Sequence, residues 1–330
     1  MAATSFGSII CPVMAVSLFA DGRFGPVEMR PIAPLELHPA AHVLHYGSSC
    51  FEGLKAHRGL DGVVRVFRLD RHVRRMAISA ELLCLPVPPA ELLSGMVREV
   101  VVANRDTVPK PPGALYLRPV LIGTDENIGA AAQPSGTAML YVIASPVGDY
   151  FDSSRALTVA IETELPRTTP QFGQVKTGAN YAMALGVTRR AREAYGADQV
   201  LFAPGGDAQE TGASNFLLID GDHIVTKALD RTFLHGVTRD SIMTLAGESG
   251  YDIEERNLSV TEIIERAPDV EMALSGTAAV LAPVGTLVHE GRAITVGDGS
   301  PGVRTTKLRE ALLAVQRGEA PDRWAWTAAV

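Results

Sequence analysis

The 330-residue chain carries 37 acidic and 30 basic residues, a net charge of −7 with no basic block, which argues against nucleic acid as a partner. Its 46% hydrophobic and 20% charged composition is that of an ordinary globular protein, and the length suits two domains of roughly 100 to 200 residues each. Cys11, Cys50 and Cys84 are odd in number, widely spaced and free of any Cys-x-x-Cys pattern. That excludes a disulfide framework and a zinc site, and it fits a reducing compartment. The apolar stretch from Ser8 to Ala20 has no basic residue before it and is broken by Pro12, unlike a signal peptide. No apolar run reaches the roughly 18 residues of a membrane span. A cytoplasmic protein with no membrane partner is expected.

Residues 13 to 36 read as strand, turn, strand, with Asp21-Gly22 as the hairpin signal. The stretch His45 to Ala56 is small, aromatic and polar at once, which suits a backbone passing close to a ligand. Lys55 and His57 within and beyond it are expected to be solvated, Glu52 is given no role beyond capping, and Cys50 is a small buried residue. After a strand at Val63 to Phe67, Asp70 is placed as the N-cap of a helix that ends at Pro86. Its apolar stripe is Val73, Met76, Ala77, Ala80 and Cys84. Of Arg74 and Arg75, one is expected to face water and the other to lie beside the stripe. A second helix over roughly 89 to 103 and strands Ala114 to Ile122 and Ala138 to Ala144 complete an α+β half. The domains expected are therefore 1–149, a linker over 150–156, and 157–330.

The second half opens with a strand at Leu157 to Ile161 and then the loop holding Lys176. A helix from about Asn180 is expected to carry Tyr181, Ala184, Leu185, Thr188, Ala191 and Tyr195 on one face. Strands follow at 199–203, 215–219 and 223–227. A helix starting at Thr238 buries Ile242 and Leu245 and stops at Gly250, and Ser259 to Glu262 has the pattern of a capping box. No internal repeat or low-complexity segment is visible.

Four features of this half converge. Lys176 is one of only five lysines in the chain, and a lysine, unlike an arginine, can lose its proton and attack a carbonyl. Glu210 lies between two strands with no obvious cationic partner in sequence. Gly236-Val237-Thr238 opens a helix whose amides and dipole suit a phosphate. Ser275-Gly276-Thr277-Ala278-Ala279 is a small-residue turn able to form an anion nest. An amine, a carboxylate and two anion-binding turns are what pyridoxal phosphate requires. The eight histidines show no paired spacing with acids or cysteines, so no metal is expected.

With these residues in view, the chain resembles the branched-chain amino acid aminotransferases, the class IV, fold type IV pyridoxal phosphate enzymes. The resemblance runs from about residue 40 onward. It rests on His45-Tyr-Gly-x-x-x-Phe-Glu-Gly53, Phe67-Arg-x-x-x-His72-x-x-Arg75, Tyr116-Leu-Arg118-Pro119 and Lys176-x-Gly-x-Asn-Tyr181. Further on come Glu210-Thr-Gly-Ala-Ser-Asn215-Phe216, Leu234-x-Gly-x-Thr238-Arg-Asp240 and Ser275-Gly-Thr-Ala-Ala279.

The resemblance implies a D-amino acid aminotransferase-like fold: a small α+β domain and a larger, barrel-like α/β domain, with the cofactor in the cleft. It makes Lys176 the Schiff-base amine and then the base at the substrate Cα. Glu210 pairs with the pyridine nitrogen, and Tyr181 lies near the cofactor O3′. Arg75, the Val237 and Thr238 amides and the Thr277 hydroxyl take the phosphate. Tyr116 and the Thr277 and Ala278 amides take the substrate α-carboxylate. Tyr46, Phe51 and Tyr150 line the side-chain pocket, and Arg118 receives the γ-carboxylate of glutamate.

A homodimer is implied, with Asp125 to Gly129 as an interface loop, and a hexamer of dimers stays open. The activity implied is transamination between leucine, isoleucine or valine and 2-oxoglutarate. A D-amino acid or (R)-amine transaminase would share Lys176, Glu210 and the phosphate site, and Tyr116-x-Arg118-Pro argues for the branched-chain reading. An aminodeoxychorismate lyase and a noncatalytic cofactor-binding relative fit the residues less well. A paralogue retuned for a nonproteinogenic or aromatic amino acid remains open. The segment Pro166 to Gly173 departs from the family's usual wording.

Overall fold

The computed structural model describes residues 6–148 and 155–330. Most of the expected linker, and Tyr150 with it, lies outside these residues. The chain divides into two compact units. The first comprises Met1–Asp149, Val175–Gly178 and Ala314–Val330; the second comprises Tyr150–Gln174 and Ala179–Leu313.

The first unit is built on a nine-stranded antiparallel sheet. Its strands are β1 (Val13–Ala20), β2 (Arg23–Phe24), β3 (Glu28–Pro31), β4 (Ser49–Phe51), β5 (Leu54–Arg58), β6 (Val64–Phe67), β7 (Ala114–Gly123), β8 (Ala138–Val147) and the C-terminal strand Thr327–Ala329. The C-terminal strand pairs with β6, and the order then runs β5, β7, β8, β1, β2, with β3 beside β1 and β4 beside β7. Asp21 and Gly22 turn the first hairpin at φ 52° and 76°, the left-handed pair that a two-residue turn between twisted strands needs. A five-residue helix α1 (His42–Tyr46) precedes β4, and α2 (Leu69–Leu82) and α3 (Ala90–Ala103) follow β6. Val73, Met76, Ala80, Leu93, Met96, Val97 and Val100 from these helices pack on Leu115, Leu117, Leu121, Leu140 and Val142 of the sheet.

Three local expectations change here. The N-cap of α2 is Arg68, not Asp70. β6 runs straight into the helix, so the Arg68 carbonyl accepts the first helical bond, from His72 N–H at 3.1 Å. Asp70 falls in the first turn, where a negative charge still suits the helix dipole. The helix also ends at Leu82, so Cys84 leaves the stripe and is exposed, at φ 53°. Lys55 and His57 are buried instead of solvated, because β5 is an inner strand, flanked by β6 and β7. Arg74 faces water and Arg75 is buried, as the stripe requires.

The second unit contains β9 (Leu157–Glu162), β10 (Gln199–Phe202), β11 (Glu210–Thr211), β12 (Asn215–Asp220), β13 (His223–Thr226), β14 (Asp252–Glu255), β15 (Glu271–Gly276), β16 (Val280–His289) and β17 (Arg292–Thr295). Strand β11 pairs with both β10 and β12, so β10, β9, β16, β15, β12 and β11 close on themselves as a barrel. β13 and β14 extend the sheet from β12, and β17 pairs with β16. Among the described residues, this part of the chain has the α-helices α4 (Gly178–Tyr195), α5 (Val237–Glu248), α6 (Val260–Arg266) and α7 (Val303–Arg317), the last of which has its final residues grouped with the first unit. Helix α6 is capped as its sequence foretells: Ser259 Oγ accepts from Glu262 N–H at 3.1 Å.

The buried face of α4 is Asn180, Ala184, Val187 and Ala191, whereas Leu185 and Tyr195 are 67% and 49% exposed. Val187, which the expected stripe omitted, turns that face away from Leu185. No described helix is long and apolar enough to cross a membrane.

Candidate active site

In the first unit the chemistry gathers around α2 and the start of β7. Residues 72, 75 and 79 lie on one helical face, three and four positions apart. His72 and Arg75 meet Glu52, and Ser79 Oγ accepts from the Lys176 backbone N–H at 3.0 Å. The Lys176 carbonyl accepts from Phe51 N–H at 3.0 Å, so the lysine backbone is pinned on both sides. Its Nζ lies 5.1 Å from the centre of the Phe51 ring.

Glu52, for which the sequence suggested no binding role, is 1% exposed and central to this cluster. Arg75 donates from Nε to Oε1 at 2.7 Å and from Nη2 to Oε2 at 2.9 Å. The His72 Nδ1–H donates to Oε2 at 2.7 Å, and Gly53 N–H reaches the same oxygen at 3.1 Å. Burial alone pushes the Glu52 carboxyl up, but Arg75 and His72 outweigh it and hold the group well below the usual carboxylate range. For His72, burial outweighs the attraction of Glu52 and depresses its pKa, so it donates as a neutral imidazole. Glu52 thus acts as the counter-ion of Arg75, and its signal in the sequence was its place between Phe51 and the small Gly53.

Tyr116 and Arg118 sit two apart on β7 and share a face. Arg118 lies over the Phe51 ring at 4.6 Å and the Tyr116 ring at 5.4 Å, with Nη2 3.3 Å from the Tyr116 hydroxyl. Its Nε is buried without a hydrogen-bond partner. No acid neutralises this arginine among the described residues, so it is not the member of a structural ion pair there. A Cβ at Gly53 would lie 1.9 Å from the Tyr116 hydroxyl, so only glycine allows the tyrosine this position. Tyr46 donates from its hydroxyl to the Ile128 carbonyl, and its ring lies 4.8 Å from that of His42.

In the second unit the site is a row across the barrel wall. Glu210 opposes Asn215, and Asn215 opposes Ser275, so the three side chains share one face. Glu210 sits on the two-residue strand that closes the barrel. The sequence offered it no cation, but the structure does: Arg167 Nη1 donates to Oε1 at 2.6 Å, and both side chains are 2% exposed. Leu234 N–H donates to the same oxygen at 2.9 Å, and Asn215 Nδ2 donates to the Leu234 carbonyl at 2.8 Å. A Cβ at Gly236 would lie 2.0 Å from Asn215 Oδ1. Glu210 and Asn215 therefore hold the loop that starts α5.

Val237 and Thr238, the first residues of α5, are buried, and Gly236 provides no side-chain cap. The first amides of a helix have no intrahelical partner, and with no side-chain cap they suit an anion. Ser275 Oγ is buried and unpartnered in the same unit. The neighbouring turn, Thr277 to Ala279, leads into Val280 at φ 62°, an uncommon backbone for a β-branched residue.

Residues 49–287 match the family model described as amino-transferase class IV. Chloroplastic branched-chain-amino-acid aminotransferase 5 of Arabidopsis thaliana is 36% identical over 95% of this chain and 75% of its own. Branched-chain-amino-acid aminotransferase 2 of Bacillus subtilis is 35% identical over 99% and 92%. Among solved structures, the T.th. branched-chain amino acid aminotransferase with pyridoxamine 5′-phosphate has a TM-score of 0.80 at 25% identity, covering 97% of this chain and 99% of the other. The Escherichia coli enzyme of the same name has a TM-score of 0.79 at 27% identity, covering 96% and 98%.

Fold and site together define a fold type IV, pyridoxal 5′-phosphate-dependent aminotransferase. Within class IV, the chain belongs to the branched-chain aminotransferase family. The residues present fit the cofactor: an uncapped, buried helix N-terminus for the phosphate, an orphaned Ser275 hydroxyl, and a buried carboxylate for the ring nitrogen.

Proposed function

We propose that the chain moves the amino group of L-leucine, L-isoleucine or L-valine to 2-oxoglutarate, giving the branched-chain 2-oxo acid and L-glutamate. The observation that carries this reading is Arg118, a half-buried guanidinium over Phe51 and Tyr116 with its Nε unpartnered. Aromatic faces accept an alkyl side chain, and the guanidinium accepts a γ-carboxylate in the other half-reaction. That combination is the physical requirement of one site serving both substrates.

When bound, pyridoxal phosphate supplies the electron sink that weakens the substrate Cα–H bond. In this proposal Lys176 carries the cofactor and moves the proton at Cα. Glu210 faces the ring nitrogen and Tyr181 the ring hydroxyl. Arg75, Val237, Thr238 and Thr277 hold the phosphate. Tyr116, Thr277 and Ala278 hold the α-carboxylate, and Tyr46, Phe51 and Tyr150 bound the side chain. A small N-terminal domain and a larger cofactor-binding C-terminal domain belong to the same reading.

A cytoplasmic homodimer completes it. Three free cysteines suit a reducing compartment. Leu44 and Ile128, 58% and 68% exposed, suit a covered face around the 125–129 loop.

The test is the visible spectrum of the protein with cofactor, before and after L-leucine, L-glutamate or D-alanine, with Lys176→Ala as control. A yellow wild type converted to the pyridoxamine form by both L-amino acids, and a variant that neither amino acid converts, is the expected result. Conversion by D-alanine alone overturns the reading of Tyr116 and Arg118.

A further inference from the structure

An arginine withdrawn from water persists only where neighbours compensate its charge and donors. Arg167 is 2% exposed and serves three neighbours. Its Nη1 donates to Glu210 Oε1 at 2.6 Å, its Nε donates to the Gly212 carbonyl at 3.2 Å, and its guanidinium carbon lies 5.4 Å from the centre of the Tyr181 ring. A second donor, Leu234 N–H, reaches the same Glu210 oxygen at 2.9 Å. Two donors on one oxygen fix the rotation of the carboxylate, and the guanidinium favours its charged form. One side chain therefore touches both residues that the family resemblance assigns to the cofactor ring.

We infer that Arg167 is a positioning residue that holds Glu210 ionised and fixed in rotation, so that Glu210 can pair with a protonated ring nitrogen. The inference rests on the reading of Glu210 as that nitrogen's partner. Without the guanidinium, a carboxylate buried at this depth takes up a proton and no longer stabilises a pyridinium. Charge alone is not the whole effect. A lysine keeps the charge but lacks the second donor that ties the guanidinium to Gly212.

The experiment titrates the apoprotein with pyridoxal phosphate and with its 1-deaza analogue, in which CH replaces the ring nitrogen, following tryptophan fluorescence. Wild type, Arg167→Met, Arg167→Lys and Glu210→Gln are compared. Arg167→Met is expected to weaken pyridoxal phosphate binding roughly ten- to a hundredfold, the size of a lost charge-assisted contact. The deaza analogue, which makes no such contact, should change by less than about threefold. Arg167→Lys should fall between, and it decides the question alone if the methionine variant does not fold. Equal weakening of both ligands would reduce Arg167 to a structural residue and overturn the inference, as would unchanged affinity. If the wild type, like Glu210→Gln, does not distinguish the two ligands, the reading of Glu210 itself fails and the inference falls with it.

Discussion

Arg75 and Glu52 form a two-pronged ion pair, Nε to Oε1 and Nη2 to Oε2, with Glu52 1% exposed. Removing one partner of a buried pair leaves the other charge uncompensated and costs about 3 to 5 kcal/mol. Glu52→Gln should therefore lower the thermal unfolding midpoint and weaken cofactor binding together, since Arg75 loses the contact that orients it. The pair also has a pH signature. The carboxyl is held below its ordinary range, so its stabilisation is complete above about pH 4.5 and is lost as pH falls. A Glu52→Gln protein as stable as the wild type would rule out this role.

Gly53 faces Tyr116 so closely that an added Cβ would stand 1.9 Å from the hydroxyl oxygen. In Gly53→Ala the tyrosine must swing aside. kcat/KM for L-leucine and L-glutamate should both fall by about a hundredfold, the scale of a misplaced binding group. Cofactor affinity and the far-ultraviolet circular dichroism should hold. Unchanged kcat/KM would mean that Tyr116 does not position substrate.

Arg118 has two roles to separate, packing on Phe51 and Tyr116 and pairing with a carboxylate. Arg118→Met keeps most of the packing and removes the charge. kcat/KM for L-glutamate should drop roughly ten- to a hundredfold, and that for L-leucine only a few-fold. An equal loss for both amino acids would assign Arg118 to the α-carboxylate or to structure.

His57 is buried with both ring nitrogens unpartnered. Burial first, then Lys55 and Arg317, push its pKa down to about 3. The unfolded chain binds a proton near pH 6.5 that the folded chain refuses, so stability falls as pH drops from about 6.5 toward 3, by up to ~1.4 kcal/mol per pH unit. His57→Phe removes two unsatisfied polar atoms and should raise stability at pH 7 by about 1 kcal/mol. Denaturant unfolding at pH 5 and 7 checks both, since the variant's stability should depend less on pH over that window.

The candidate residues stood out in the sequence more than the elements around them. Lys176, Glu210 and the glycine-rich turns stood out because their chemistry is local: a rare lysine, an acid between strands, small residues before a helix. The hairpin at Asp21-Gly22 and the cap at Ser259 were legible for the same reason, since turn and cap residues act within four positions of themselves. Helix faces were read less well. Leu185 and Tyr195 fit a helical spacing but are exposed, because Val187 and Asn180 set the buried side. Nothing in local sequence reports which of two adjacent faces meets the barrel.

By itself the sequence determined the chemistry on offer: an amine, an acid between two strands, turns of small residues before a helix, and a tyrosine and arginine two apart on one strand. Tertiary structure decided how the charges are neutralised. Arg167 reaches Glu210 across 43 positions, and Glu52 reaches Arg75 across 23. It also decided that β11 closes the barrel, that the last strand pairs with β6, and that Lys55 and His57 are buried. The reason is range. Backbone preference and capping act over a few residues, whereas the compensation of a buried charge requires only proximity in space, which pattern along the chain does not encode.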